Sequence, residues 1–126
     1  MIAVTGITGK VGGQVARLLA AQGKRIHAVV RDARKASYWK EAGHEVYQAP
    51  IDDKDAVTAA FTGTEGASLM TPPNFDPEPS FPDTRRAATA IKAALESALP
   101  GRVVYLSTVG AHVSRPNLLN NAGIVE

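Results

Sequence analysis

At 126 residues the chain fits a single domain with a real core, yet it is short for a complete doubly wound nucleotide-binding fold. A hydrophobic content of 44% excludes general disorder, and a formal charge of +2, dispersed along the chain, excludes a nucleic-acid partner. Cysteine is absent, which removes disulfides, thiolate catalysis and cysteine metal sites; no apolar run reaches membrane-span length and no basic-then-apolar leader precedes the first strand, so a cytoplasmic protein is expected.

The first strand, Met1–Val4, runs straight into Thr5-Gly6-Ile7-Thr8-Gly9-Lys10-Val11-Gly12, and a helical pattern follows. Its apolar face is read as Val11, Val15, Leu18 and Leu19, with Gly23 at the helix end. A strand that breaks into spaced glycines and reopens as a helix aims unpaired backbone N–H groups above the strand end. The helix dipole adds positive potential there, so a pyrophosphate fits. Gly6 allows the tight turn, Gly9 lets phosphates approach the backbone, and Gly12 lets the helix pack closely. The spacing is G-x-x-G-x-x-G, not the G-x-G-x-x-G of the dehydrogenase fingerprint, and a ligand-free strand–helix turn is the alternative.

Arg25–Val30 is the second strand, and the polar stretch Arg31-Asp32-Ala33-Arg34-Lys35 follows it. A short helix with Ala36, Trp39 and Lys40 ends at Gly43, and Glu45–Gln48 is a third strand. Asp52 or Asp53 caps a helix through Ala56, Val57, Ala60 and Phe61 that stops at Gly63. The fourth strand, Gly66–Met70, ends in Thr71-Pro72-Pro73. Prolines at 72, 73, 77, 79 and 82 then preclude helix or central strand across that segment. A long alanine-rich helix from Pro82 to Leu99 carries a buried stripe of Ala87, Ile91, Ala94, Leu95 and Ala98. Pro100-Gly101 stops it, Arg102–Leu106 is the fifth strand, and the tail from Val109 reads as polar and irregular. Strands alternating with helices mean βαβ units and a parallel sheet.

In such a sheet ligands sit outside the carboxyl ends of the strands, near the topological switch point. Thr8 offers a hydroxyl to phosphate after strand one. Arg31 stands after strand two, where an acidic residue would bind a ribose 2′-hydroxyl. A guanidinium there can clamp a 2′-phosphate and favours NADP over NAD; a solvated surface arginine is the alternative. Met70, Thr71 and Pro72 offer backbone groups and an apolar wall after strand four, or merely end the strand. Ser107 and Thr108 face the nicotinamide end, or simply cap strand five. His27 reads as a packed strand residue, His44 as a turn residue and His112 as a solvated one. No histidine–carboxylate spacing suits a metal.

Four stretches together resemble the NmrA-like, NAD(P)H-binding group of atypical short-chain dehydrogenase/reductases, which includes NAD(P)H:quinone oxidoreductases. They are V-T-G-I-T-G-K-V-G-G-Q-V at 4–15, V-V-R-D-A-R-K-A at 29–36, the Met70–Pro73 strand end, and V-V-Y-L-S-T-V-G-A at 103–111. The resemblance implies that Gly6, Ile7, Thr8, Gly9, Lys10, Val11 and Gly12 bind the pyrophosphate. It implies that Arg31 holds the 2′-phosphate of NADP, and that Met70, Thr71, Pro72, Pro73 and Ser107 line the ribose–nicotinamide channel. Departures are present too. Ala49-Pro50-Ile51 replaces the Gly-Asp-Leu of relatives, so an adenine contact is lost or passes to Asp52. Asn120-Asn121-Ala122-Gly123 copies a short-chain dehydrogenase signature after the wrong strand. No Tyr-x-x-x-Lys pair exists, and Tyr105 sits mid-strand without the lysine.

The expected architecture is therefore a Rossmann-like, three-layer α/β sandwich with five parallel strands in order 3-2-1-4-5. Residues 1–126 form one incomplete NAD(P)-binding domain that stops before the substrate region of relatives. One face near strands four and five is expected to be apolar and exposed, which fits a homodimer or a longer chain. The expected partners are NADP(H) and a quinone-like acceptor, with no nucleic acid, membrane or metal. The implied activity is NADPH-dependent reduction of that acceptor, although these 126 residues encode no substrate pocket. The alternative is a non-catalytic module that senses NADP(H) redox state.

Overall fold

Strand and helix alternate into a parallel sheet of order β3-β2-β1-β4-β5 in the computed structural model, which describes residues 1–71, 80–107 and 124–125. The strands are β1 (Ile2–Thr5), β2 (Ile26–Val30), β3 (Glu45–Gln48), β4 (Gly66–Leu69) and β5 (Arg102–Tyr105). Between them run α1 (Lys10–Ala21), α2 (Ser37–Glu41, after a 3₁₀ turn at Ala33–Ala36), α3 (Lys54–Phe61) and α4 (Pro82–Ala98). This is the order expected from the sequence, and each strand lies within one residue of its expected ends. β1 holds the centre: Ile2 pairs with Ile26 on one side and with Gly66 on the other.

Helices cover both faces, so the central strands carry apolar residues in runs. On one side α1 and α2 bury Val4, Ile26, Ala28 and Val30 together with Ala16 and Trp39. On the other, α3 and α4 bury Ala3, Val29 and Leu69 beneath Val57, Phe61, Ile91 and Ala94. Asp53 caps α3 by accepting from the Ala56 N–H at 3.1 Å. Of the stripe expected on α4, Ala87, Ile91 and Ala94 are buried, while Leu95 and Ala98 pack at its margin.

The face of α1 differs from expectation. Val11 and Leu18 are 52% and 56% exposed, and the buried residues are Gly12, Gly13 and Ala16. The reason is distance. A Cβ at Gly12 would overlap the Gly6 carbonyl oxygen and lie 2.7 Å from its carbon, so only a chain of small residues can face the sheet there. Val11 and Leu18 are turned aside, while Leu19 packs at the margin of that core and Val15 is half-buried.

His27 is buried in β2, with Nδ1 2.8 Å from the Ala60 carbonyl and Nε2 2.9 Å from Glu45 Oε2. His44 Nδ1 accepts from the Ile26 N–H at 3.2 Å. Both histidines join elements of the fold, away from the strand ends that matter for binding. Val103, Val104 and Leu106 are exposed at β5 and just beyond it, while Val125 packs beside Tyr105 against the core. Pro72, Pro73, Thr108, His112 and Asn120–Gly123 lie outside the described residues.

Gly12→Ala is expected to lower stability by about 1–3 kcal/mol through overpacking against backbone. Leu18→Ala, on the exposed side, should change it by less than about 0.5 kcal/mol. Thermal or urea unfolding of the two variants checks this; a larger loss for Leu18→Ala would restore the stripe read from periodicity.

Candidate functional site

The chain leaves β1 through Gly6, whose φ of 63° lies in the left-handed region that a Cβ disfavours. Even without that strain a side chain would not fit, because a Cβ at Gly6 would lie 2.5 Å from Met70 Cγ. The turn closes when the Gly9 N–H donates to the Gly6 carbonyl at 2.9 Å. Gly9 then stands at the cap of α1, offering no side chain to the helix N–H groups, and the first turn contains no acidic residue. Those N–H donors, with the positive end of the helix dipole, face the space above β1.

That space is a groove lined by Thr5, Gly6, Thr8, Gly9, Val29, Val30, Arg31, Ala49, Ile51 and Met70. It lies over the carboxyl ends of β1 and β2, with β4 supplying Met70. Five of the expected residues line it: Gly6, Thr8, Gly9, Arg31 and Met70. Ile7 has its side chain in the core, 2% exposed, so only its backbone is available at the turn. Gly12 is buried against Gly6, while Lys10 and Val11 are exposed at the start of α1. Thr71 follows Met70, and Pro72 is outside the described residues. Ser107 lies elsewhere, beside Tyr105, Leu69 and Leu95 in a hollow between α4 and the sheet.

The charges at the end of β2 are sorted by hydrogen bonding. Asp32 accepts from Arg34 at Nε (3.1 Å) and Nη2 (3.0 Å), and from the Arg34 backbone N–H at 3.0 Å. These bonds hold the Asp32 carboxyl below the usual carboxylate range, the side-chain bond to Arg34 being the largest cause. Arg31, one residue earlier, is exposed and forms no ion pair or hydrogen bond among the described residues. The acid is thus neutralised locally, and the neighbouring guanidinium is left to the groove.

Thr5 is a site residue that sequence reasoning passed over. Its buried hydroxyl accepts from the Met70 N–H at 2.8 Å and lies 3.3 Å from the Ser68 and Met70 carbonyls. This ties the β1 turn to the exit of β4, across the switch point. Ala49 and Ile51 were also undervalued: they give the β2–β3 side of the groove an apolar wall, whereas Asp52 is exposed and absent from the lining.

Residues 6–124 match the NAD(P)H-binding family. The chain belongs to that family. Over 99% of its length it is 31% identical to quinone oxidoreductase 2 of Escherichia coli strain K12, of which it covers 46%. The Citrobacter sp. triphenylmethane reductase complexed with NADP(H) superposes with a TM-score of 0.81 at 26% identity, over 98% of this chain and 43% of that one. The NADPH-dependent quinone oxidoreductase of Escherichia coli, complexed with NADPH, gives 0.80 at 27% identity, over 99% and 43%. This member of the NAD(P)H-binding family therefore spans under half the length of these relatives. No helix among the described residues is long and apolar enough to cross a membrane, and none of their His, Asp and Glu side chains cluster as metal ligands.

Because the Asp32 pKa is depressed in the folded chain, its contribution to stability is present above the ordinary carboxylate range and fades as pH falls through the lowered value. Arg34→Ala should move the Asp32 titration back up toward the ordinary range. Carboxyl-carbon NMR during an acid titration reads this directly, and an unmoved Asp32 midpoint would show that Arg34 does not hold it.

Proposed function

We propose that residues 1–126 bind NADP(H) in preference to NAD(H), and that they form the cofactor-binding part of a reductase acting on a quinone-like acceptor. The observation that carries this reading is Arg31 at the end of β2, without an ion pair or hydrogen bond among the described residues and next to an aspartate already engaged by Arg34. A free acid at that position would hold a ribose 2′-hydroxyl and repel a 2′-phosphate; a free guanidinium gives a phosphate paired, charge-assisted hydrogen bonds.

The remaining residues fit a dinucleotide. Gly6 has no room for a side chain, Gly9 carries none and the first turn of α1 has no competing acid, so a pyrophosphate can rest on the backbone N–H groups. Thr8 adds a hydroxyl and Lys10 adds charge at the same end. Val30, Ala49 and Ile51 supply an apolar wall suited to a purine ring. Met70 and Thr71 stand on the opposite side of the switch point, toward the nicotinamide half, with Ser107 further along β5.

When bound, the nicotinamide of the cofactor supplies the hydride. The chain's own part is to hold and orient the dinucleotide. The quinone assignment rests on the relatives, quinone oxidoreductase 2 of Escherichia coli among them.

Titration of NADPH and NADH into the wild type and Arg31→Ala tests the preference. The wild type should bind NADPH more tightly, and Arg31→Ala should lose about 1.5–3 kcal/mol toward NADPH with little change toward NADH. Equal wild-type affinities for the two cofactors would contradict the reading. Quinone-dependent oxidation of NADPH, followed by loss of its absorbance, tests the reductase half.

A further inference from the structure

The exit of β4 is held from both sides. On the β1 side the Met70 N–H donates to Thr5 Oγ1 at 2.8 Å. On the β5 side the Leu106 N–H donates to the Leu69 carbonyl at 2.8 Å, and two residues past Leu69 the Thr71 Oγ1 lies 3.2 Å from the Tyr105 hydroxyl. The pairing of Leu69 with Tyr105 in the parallel register brings these two hydroxyls together at the strand ends. Both residues are half-buried; they lie beyond the lining of the groove over β1 and β2, and Tyr105 borders the hollow beside α4.

A pair of hydroxyls shares one proton between its oxygens and leaves one O–H over. If Tyr105 donates, the Thr71 hydroxyl keeps its proton and is held in one rotamer, pointing that donor away from Tyr105. A threonine at an exposed strand end would otherwise rotate freely. The pair also lies on the β4–β5 side of the switch point, opposite Arg31. A dinucleotide whose 2′-phosphate sits at Arg31 and whose pyrophosphate rests on the α1 turn must run its other half across this side.

We propose that Tyr105 is a positioning residue for the nicotinamide half of the cofactor: its hydroxyl orients Thr71, whose own hydroxyl receives the nicotinamide ribose or carboxamide. This rests on the NADP(H) reading above and adds to it a division of labour between the two sides of β1. Arg31 selects the phosphate; the Thr71–Tyr105 pair fixes the reacting half. The tyrosine acts through the threonine, so its role is orientation.

The test separates the two halves by ligand. Wild type, Tyr105→Phe, Thr71→Val, the double variant and Thr71→Ser are each titrated with NADPH and with adenosine 2′,5′-bisphosphate, which lacks the nicotinamide half. Tyr105→Phe and Thr71→Val should each weaken NADPH by roughly three- to tenfold, the effect of one lost hydrogen bond. The double variant should be no weaker than the poorer single one, because both remove the same contact. Thr71→Ser should retain wild-type affinity, and the bisphosphate should bind all five proteins equally. Unchanged NADPH affinity in Tyr105→Phe, or a parallel loss of the bisphosphate, overturns the positioning role. Bisphosphate binding that still depends on Arg31 would then leave the NADP(H) reading standing. Failure of the wild type to bind either ligand overturns both.

Discussion

Everything at the proposed site depends on how closely α1 approaches the carbonyl of Gly6. The helix comes so near that no side chain fits at Gly12, and the same contact fixes where the helix begins. Glycine inside a helix costs roughly 0.5–1 kcal/mol relative to alanine, and here Gly12 and Gly13 stand side by side in α1. The return is placement: the first N–H groups of α1 end up directly above β1. Met70 leans over Gly6 from β4, and Thr5 ties that strand to the turn.

Charge is distributed to match. No acidic side chain competes at the start of α1, and the one acid at the end of β2, Asp32, is engaged by Arg34. Cationic Lys10 and Arg31 remain exposed around the groove. An arrangement that neutralises its own acid beside a guanidinium unpaired among the described residues suits the proposed ligand, an anion with more than one phosphate. The apolar residues Val30, Ala49 and Ile51 add what a pyrophosphate alone would not need, which is why a dinucleotide fits better than a simple phosphate compound.

Local sequence made the elements legible. Strand ends fell within one residue because β-branched runs stop at glycine, proline or charged turns, and the alternation with helices implied a parallel sheet. The glycine turn and Arg31 were legible for the same reason: each lies directly after a strand. What escaped was set by contacts between distant residues. Thr5 meets Ser68 and Met70 across 63 and 65 positions, and Thr71 meets Tyr105 across 34, so no window along the chain reveals either pair. The stripe on α1 was misread because hydrophobicity usually marks the buried side of a helix. Here the buried side is chosen by size, and Val11 and Leu18 lie outside it.

The central claim is that the spaced glycines and Arg31 form one site for NADP(H), with β4 contributing its far side. Backbone amide NMR during an NADPH titration tests it most directly, since every amide reports its own surroundings. The largest shifts are expected at residues 6–12, at Arg31 and at Met70–Thr71, saturating together with one affinity. Shifts concentrated at the β5 edge or around α4, or separate affinities for Arg31 and the glycine turn, would contradict the account.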